Sequence, residues 1–438
     1  MQQELPGLVG EGFESIGKYG IGFFSTFMWG DHVKVITRRF DEGPRDSRVL
    51  EFSKGLKQPP ILRPATENEQ LNEPGTTVQV RLRQSPKLPT GFLWTARRSR
   101  ISLAELCANL CPASAVTIHV SERSSTWRKS VSANDWKSLP PKRLLKRVLT
   151  EGEMVDRTER NAHVQRYADS LRDITDTNGR MLARACIMPK LSLGVGRGAT
   201  FHGVVSIGGF RSSALSGVAG VFVGHPVRAA RDVGVPIADG AVVGDWASEQ
   251  SRLLTQVTAE SDVLYECAQV IRALGGACPR IPIAEHRRGW LTSEEIAQMA
   301  GSSEEFALLQ DATFSLDFAR DKSVILDDVL VTSGGLPGVL QTGHMPSDSD
   351  YIFIDWPRWR AETWTSDWGF RQRTLEGAVI EALADGWSVP VEQVLKASEF
   401  ATDSKPLERT VADVPTKRKS ASKVNIMAII RRAPRPIH

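Results

Sequence analysis

The sequence predicts an α+β fold, and three observations carry that expectation. Residues 32–40 (HVKVITRRF) and 76–82 (TTVQVRL) alternate apolar and polar side chains, the period of a strand with one buried face. Ser102-Leu-Ala-Glu105 and Thr292-Ser-Glu-Glu295 have the spacing of reciprocal helix caps, in which two side chains satisfy the first free amides of a helix. Residues 181–246 are rich in β-branched residues between glycines, and helical periodicity takes over at 246–274.

The elements follow in order. Residues 1–12 are glycine-rich and lack periodicity. Ile21, Phe23, Phe24, Phe27, Met28 and Trp29 crowd together as in a buried helix. The strand at 32–40 comes next, then a polar loop, a short strand at 49–52, and a tight turn at Asn72-Glu-Pro-Gly75 that leads into the strand at 76–82. A helix is expected over 102–110 and a strand over 115–121. From about 121 to 180 the chain is polar, with Pro140-Pro141 and a basic run at 142–147, and reads as a linker with some helix. Strands follow at 181–192, 199–210 and 218–223. One or two helices follow at 246–274, stopped by Gly275-Gly276, and another after Thr292 is stopped by Gly301. Residues 370–384 form an amphipathic helix with Leu375, Val379, Ile380 and Leu383 on one side, stopped by Gly386. From Pro415 the chain is basic and is expected to be a poorly ordered tail. The division expected is 1–125, a linker at 126–180, an α/β middle domain at 181–285, a helix-rich mixed domain at 286–410, and a tail at 411–438.

Bulk properties exclude several function classes. The 438 residues include 55 basic and 51 acidic side chains, a net charge of +4, which argues against a nucleic-acid footprint over the whole protein. Five scattered cysteines do not make a disulfide framework and suit a reducing, cytoplasmic compartment. No secretory leader pattern is expected at residues 1–30, and no apolar run approaches the roughly 20 residues of a membrane span. Cys107 and Cys111 share a helix face and could form half a zinc site, but no second pair has suitable spacing, and small core residues are the preferred reading. No metal site is expected.

Residues 12–39, GFESIGKYGIGFFSTFMWGDHVKVITRR, hold two overlapping glycine patterns. A P-loop would need Ser or Thr after Lys18 to place a hydroxyl on Mg²⁺. Tyr19 stands there, and the segment before it, LPGLVGE, is no buried strand. Gly17, Gly20 and Gly22 fit a different role, a sharp turn that brings bare amides near an anion at the amino end of a helix. This stretch resembles the ninety-kilodalton heat-shock chaperone branch of the GHKL superfamily, in which a Gly-x-x-Gly-x-Gly lid loop, a Phe-rich helix and a Val-x-Val strand occur in this order. Pro74-Gly75-Thr76-Thr77-Val78-Gln79-Val80 is similar to the family's Gly-Thr strand. The resemblance covers about the first quarter of the chain.

It implies a partial GHKL α/β sandwich followed by an α/β middle domain and a more helical C-terminal region. It implies that Gly17, Tyr19, Gly20, Ile21, Gly22 and Phe23 surround the triphosphate of ATP, that Thr76 lies near the base, and that Lys18 is within reach of a phosphate. The family's catalytic glutamate, its Mg²⁺-binding asparagine and its Asp-x-Gly-x-Gly segment lie upstream of the lid loop and have no counterpart here. No catalytic residue is therefore assigned. ATP with Mg²⁺ is expected to bind weakly or not at all to this chain alone, which reads as a fragment, a split half or a degenerate homologue. The implied partner is a protein supplying the missing half, with a homodimer also admitted. Arg228 and Arg231 are weak candidates for a middle-domain contact to the γ-phosphate, against the plainer reading of surface arginines. The Trp- and Arg-rich residues 355–368 suit core packing, a protein interface or base stacking. The alternatives are a non-enzymatic scaffold with a relic lid, or nucleic-acid binding through that segment and the tail.

Overall fold

The computed structural model describes residues 22–94, 100–122, 126–149, 157–189, 191–192, 198–199, 202–227, 231, 233–312, 314, 322–335, 340–341, 356, 367–402, 404–413 and 423–434. The fold is α+β. The chain divides into two compact units, Met1–Leu106 with Val120–Arg128, and Cys107–His119 with Lys129–His438.

The first unit is built on one antiparallel sheet. Its strands are β1 (His32–Arg38), β2 (Arg48–Phe52), β3 (Ile61–Pro64) and β4 (Gly75–Arg81), in the order β3-β2-β1-β4. On one face, the aromatic rings of Phe23 and Phe27 pack against Phe52 and Val33. The other face buries Ile36 and Val49 and carries a cluster of charged side chains beside them. Glu69 accepts from Lys34 at 2.8 Å and from both amino nitrogens of Arg63, at 2.6 and 2.8 Å, and these cations hold its carboxyl well below the usual carboxylate range. The expected buried helix at 21–29 is instead a short 3-10 helix, Gly22–Met28, with only Phe27 buried. Met28 is 79% and Phe24 52% exposed. The Pro-flanked β3 gave no clear alternation and was not foreseen.

Among its described residues the second unit contains two large sheets. Strands β5 (Arg172–Thr175), β6 (Met181–Ile187), β7 (His202–Ile207), β8 (Phe210–Ser216), β9 (Val218–Pro226) and β10 (Gly234–Pro236) belong to a seven-stranded mixed sheet, in which β7 and β9 run parallel. β9 crosses β6 so closely at Gly220 (φ +135°) that a Cβ there would lie 2.3 Å from the Arg184 carbonyl oxygen. Helices α1 (Pro141–Val148), α2 (Gly240–Val257) and α3 (Ser261–Ala273) pack on this sheet. Gln250 on α2 fastens it, accepting from the Ile187 amide at 3.0 Å and donating to the Ser170 carbonyl at 2.9 Å.

The expected linker at 126–180 is largely structured. In α1 the basic run KRLLKRV conceals Leu144, Leu145 and Val148 at helical spacing, and all three are fully buried. Lys142, Arg143 and Lys146 face outward, and Arg147 turns to Asp135 at 2.6 Å.

The second sheet has strands β11 (Ala284–His286), β12 (Gly289–Leu291), β13 (Glu305–Gln310), β14 (Val329–Thr332), β15 (Glu399–Phe400) and β18 (Ala428–Arg431), ordered β12-β11-β14-β13-β18-β15. A separate hairpin pairs β16 (Leu407–Thr410) with β17 (Lys423–Ile426). Helices α4 (Ser293–Ala300), α5 (Leu375–Trp387) and α6 (Val391–Ala397) complete the unit. The Thr292/Glu295 cap forms as expected, with the Thr292 amide donating to Glu295 at 2.7 Å. Gly386 does not end α5, which runs on to Trp387. It is where α5 presses on α4, since a Cβ there would lie 2.1 Å from the Ala297 carbonyl oxygen. The region read as a basic tail supplies β17 and β18. Val424 and Ile426 are buried, and Arg431 binds Glu305 at 2.7 Å and Glu399 at 2.6 Å, so much of its described basic character serves cross-strand ion pairs.

Candidate functional site

The glycine loop is described only from Gly22 onward. Gly17, Lys18, Tyr19, Gly20 and Ile21 lie outside the described residues. Gly22 opens the 3-10 helix, with no atom within 4 Å of the position a Cβ would take. Phe23 anchors the helix, its ring centroid 5.7 Å from that of Phe27 and 5.6 Å from that of Phe52. β1 follows, and β4 lies directly beside it in antiparallel register, His32 opposite Arg81 and Arg38 opposite Gly75. The two strand motifs, 41 residues apart between Ile36 and Thr77, are thus adjacent partners in the ladder. Thr76 is exposed and lies opposite Thr37, the two hydroxyl oxygens 2.9 Å apart. The Thr37 hydroxyl also reaches the Gly75 carbonyl at 3.3 Å, which fixes the turn entering β4.

Among the described residues, the fit to ATP is partial. Gly22 offers open backbone and Thr76 an accessible hydroxyl. Among the described residues no cluster of three or more His, Cys, Asp or Glu side chains is arranged to hold a metal ion.

In the second unit Arg228 lies outside the described residues. Arg231 stands in the turn between β9 and β10 with a left-handed backbone, φ +57°, an uncommon conformation for a bulky residue. The turn is held on both sides, by the Val227 amide donating to the Val233 carbonyl at 3.0 Å and by the Ser212 hydroxyl donating to the Arg231 carbonyl at 2.8 Å. Backbone strain of this kind persists only where the surroundings impose it.

Other candidates resolve as structure. Cys107 and Cys111 lie one turn apart and are half-buried. Burial pushes both thiols up, and Cys107 adds to the shift of Cys111, which opposes the thiolate form that zinc requires. Trp356 is a core residue, its Nε1 donating to the Ala238 carbonyl at 3.0 Å and its ring against Phe222. Residues 357–366 lie outside the described set.

Sequence reasoning missed a cleft of about 330 Å³ lined by Arg272, Arg280, Glu294, Glu381 and Asp385 among others. Arg272 pairs with Glu381 at 2.9 Å, and burial raises the Glu381 carboxyl despite that pairing. Its residues come from α3, α4, α5 and the loop after α3, and no short spacing announces them. No protein-family model matches the chain, and no curated protein matches it.

Proposed function

We propose that the chain is a chaperone-like, nucleotide-dependent module of the GHKL class that holds ATP weakly through its lid loop and its Gly-Thr strand and does not hydrolyse it alone. The observation that carries this reading is the pairing of β1 with β4 in full register, which sets the strand after the lid loop against the strand bearing Thr76. Gly17, Tyr19, Gly20, Ile21, Gly22 and Phe23 would surround the phosphates, with Lys18 beside them, and Thr76 would face the base. No residue is assigned here as general base, metal ligand or adenine anchor.

The test is a thermal melt of the full chain with ATP. With a dissociation constant near 1 mM, about 5 mM ATP stabilises the folded state by roughly 1 kcal/mol, a rise of about 2–4 °C. Gly20→Asp and Thr76→Val should abolish it. An unchanged melting temperature, or an equal rise in both variants, overturns ATP binding and leaves the non-enzymatic scaffold. Steady-state ATP turnover well above background overturns the second clause.

A further inference from the structure

The cleft of about 330 Å³ in the second unit has the size of a small-molecule site. Its floor is apolar, formed by Cys278, Ile283, Ala378 and Ala382, each at most 6% exposed. Its walls carry charges of both signs. Arg272 comes from α3, Arg280 from the loop after it, Glu294 from α4, and Glu381 and Asp385 from α5.

Only part of this charge is used within the protein. Arg272 pairs with Glu381 at 2.9 Å and donates to the Gln372 carbonyl. Its Nε is nevertheless buried without a hydrogen-bond partner, a rare state for a buried donor. Arg280, Glu294 and Asp385 are exposed and form no ion pair among the described residues. Asp385 lies one turn after Glu381, on the same face of α5. Burial raises the Glu381 carboxyl, Arg272 opposes the rise, and the Asp385 charge adds to it, so this wall favours a cation set between the two carboxylates. With the Arg272–Glu381 pair set aside, the cleft keeps the guanidinium of Arg280 and the carboxylates of Glu294 and Asp385, above an apolar floor.

We infer that this cleft binds a free α-amino acid with an apolar side chain. The ligand's carboxylate meets the planar fork of Arg280, a geometry suited to two parallel hydrogen bonds. Its ammonium has three donors and is shared by Glu294 and Asp385. Its side chain lies on the floor of Cys278, Ile283, Ala378 and Ala382. A purely anionic ligand would meet two unpaired carboxylates, and a purely cationic one would leave Arg280 unpaired, so the wall charges select a molecule that carries both signs. The inference rests on the second unit alone and is independent of whether ATP binds.

The test is isothermal titration calorimetry of the full chain with L-leucine, which should bind once per chain. Leucinamide lacks the carboxylate and 4-methylpentanoate lacks the ammonium, and each should bind at least about tenfold more weakly, the factor that one hydrogen bond to a charged group supplies. Arg280→Ala should weaken leucine to the level of leucinamide, and Asp385→Asn should weaken it by about tenfold. Both side chains are exposed, so both variants should keep the wild-type circular dichroism spectrum. Ala277→Trp, at an exposed position lining the cleft, should fill it and abolish binding. Gly20→Asp should leave leucine binding unchanged, so this inference and the ATP reading fail separately. Absence of leucine binding, equal binding of leucinamide or 4-methylpentanoate, or undiminished binding in Arg280→Ala or Ala277→Trp overturns the inference.

Discussion

Replacing Gly386 by alanine sets two effects of opposite sign against each other. In a helix interior alanine is favoured over glycine by about 1 kcal/mol, so a helix limited only by propensity gains stability. At Gly386 the new methyl would lie 2.1 Å from the Ala297 carbonyl oxygen and 2.7 Å from the Ala300 Cβ. The first of these is backbone and cannot swing aside, so α5 has to move off α4 by about an ångström, and a gap of that size forfeits a quarter to a half of the dispersion contact. The interface affected contains Ile296, Ala300, Leu383 and Trp387, all buried, and overpacking of this kind costs about 1–3 kcal/mol. Trp387 Nε1 also donates to the carbonyls of Ala300 at 2.7 Å and Ser303 at 3.0 Å, bonds worth about 1 kcal/mol each. The net expectation is a loss of about 2–3 kcal/mol, lowering the melting temperature of a unit this large by about 3–5 °C. Thermal denaturation followed by circular dichroism measures it. A melting temperature that is unchanged or higher in Gly386→Ala refutes the close-contact argument and restores the helix-stop reading.

Leu144→Ala, inside the basic run, should cost about 2–5 kcal/mol by opening a cavity under α1, whereas Lys142→Ala on the outer face should stay within about 0.5 kcal/mol; equal effects in urea denaturation would return this segment to the status of a linker. Stability should also decline on acidification. Burial lowers the pKa values of His163, His202 and His286, so as pH falls the unfolded chain binds these protons first. Stability is complete above the ordinary imidazole value of about 6.5 and is lost progressively below it. Buried His286 illustrates the cause, with Nε2 on the Asp327 carbonyl at 3.0 Å and Nδ1 accepting the Arg288 amide at 3.3 Å, leaving no site for a second proton. A His286→Gln variant should show a shallower fall in melting temperature between pH 7 and 5.5; an unchanged slope counts against that assignment.

The sequence disclosed those elements whose signal is local. The Thr292/Glu295 cap and the strands β1 and β4 are set by neighbours a few residues away and formed where expected, although β4 has no buried face. The failures share a physical origin in distant partners. In α1 the charges outnumber the buried leucines, so composition hides a helix that the core demands. Gly386 looked like a terminator because the facing Ala297 lies far away in sequence. β17 and β18 were masked by basic residues whose acidic partners, Glu305, Glu399 and Glu408, lie on other strands. In the candidate site, Thr76 and its neighbour Thr37 were brought together by a ladder that the sequence only implied. The cleft around Arg272 and Glu381 was invisible because four separate segments build it.

The position of β18 also bears on how the chain is made. Phe306 and Leu308 on β13 pair with Ile430 and Ala428 of β18, so a growing polypeptide carries that hydrophobic strand edge bare until β18, far along the chain, has been synthesised. Such distant pairing is slow to close, and during translation the half-made sheet is exposed to misassembly. The second sheet therefore stays open until β18 has emerged, and the folding yield depends on how well that edge is shielded in the interval.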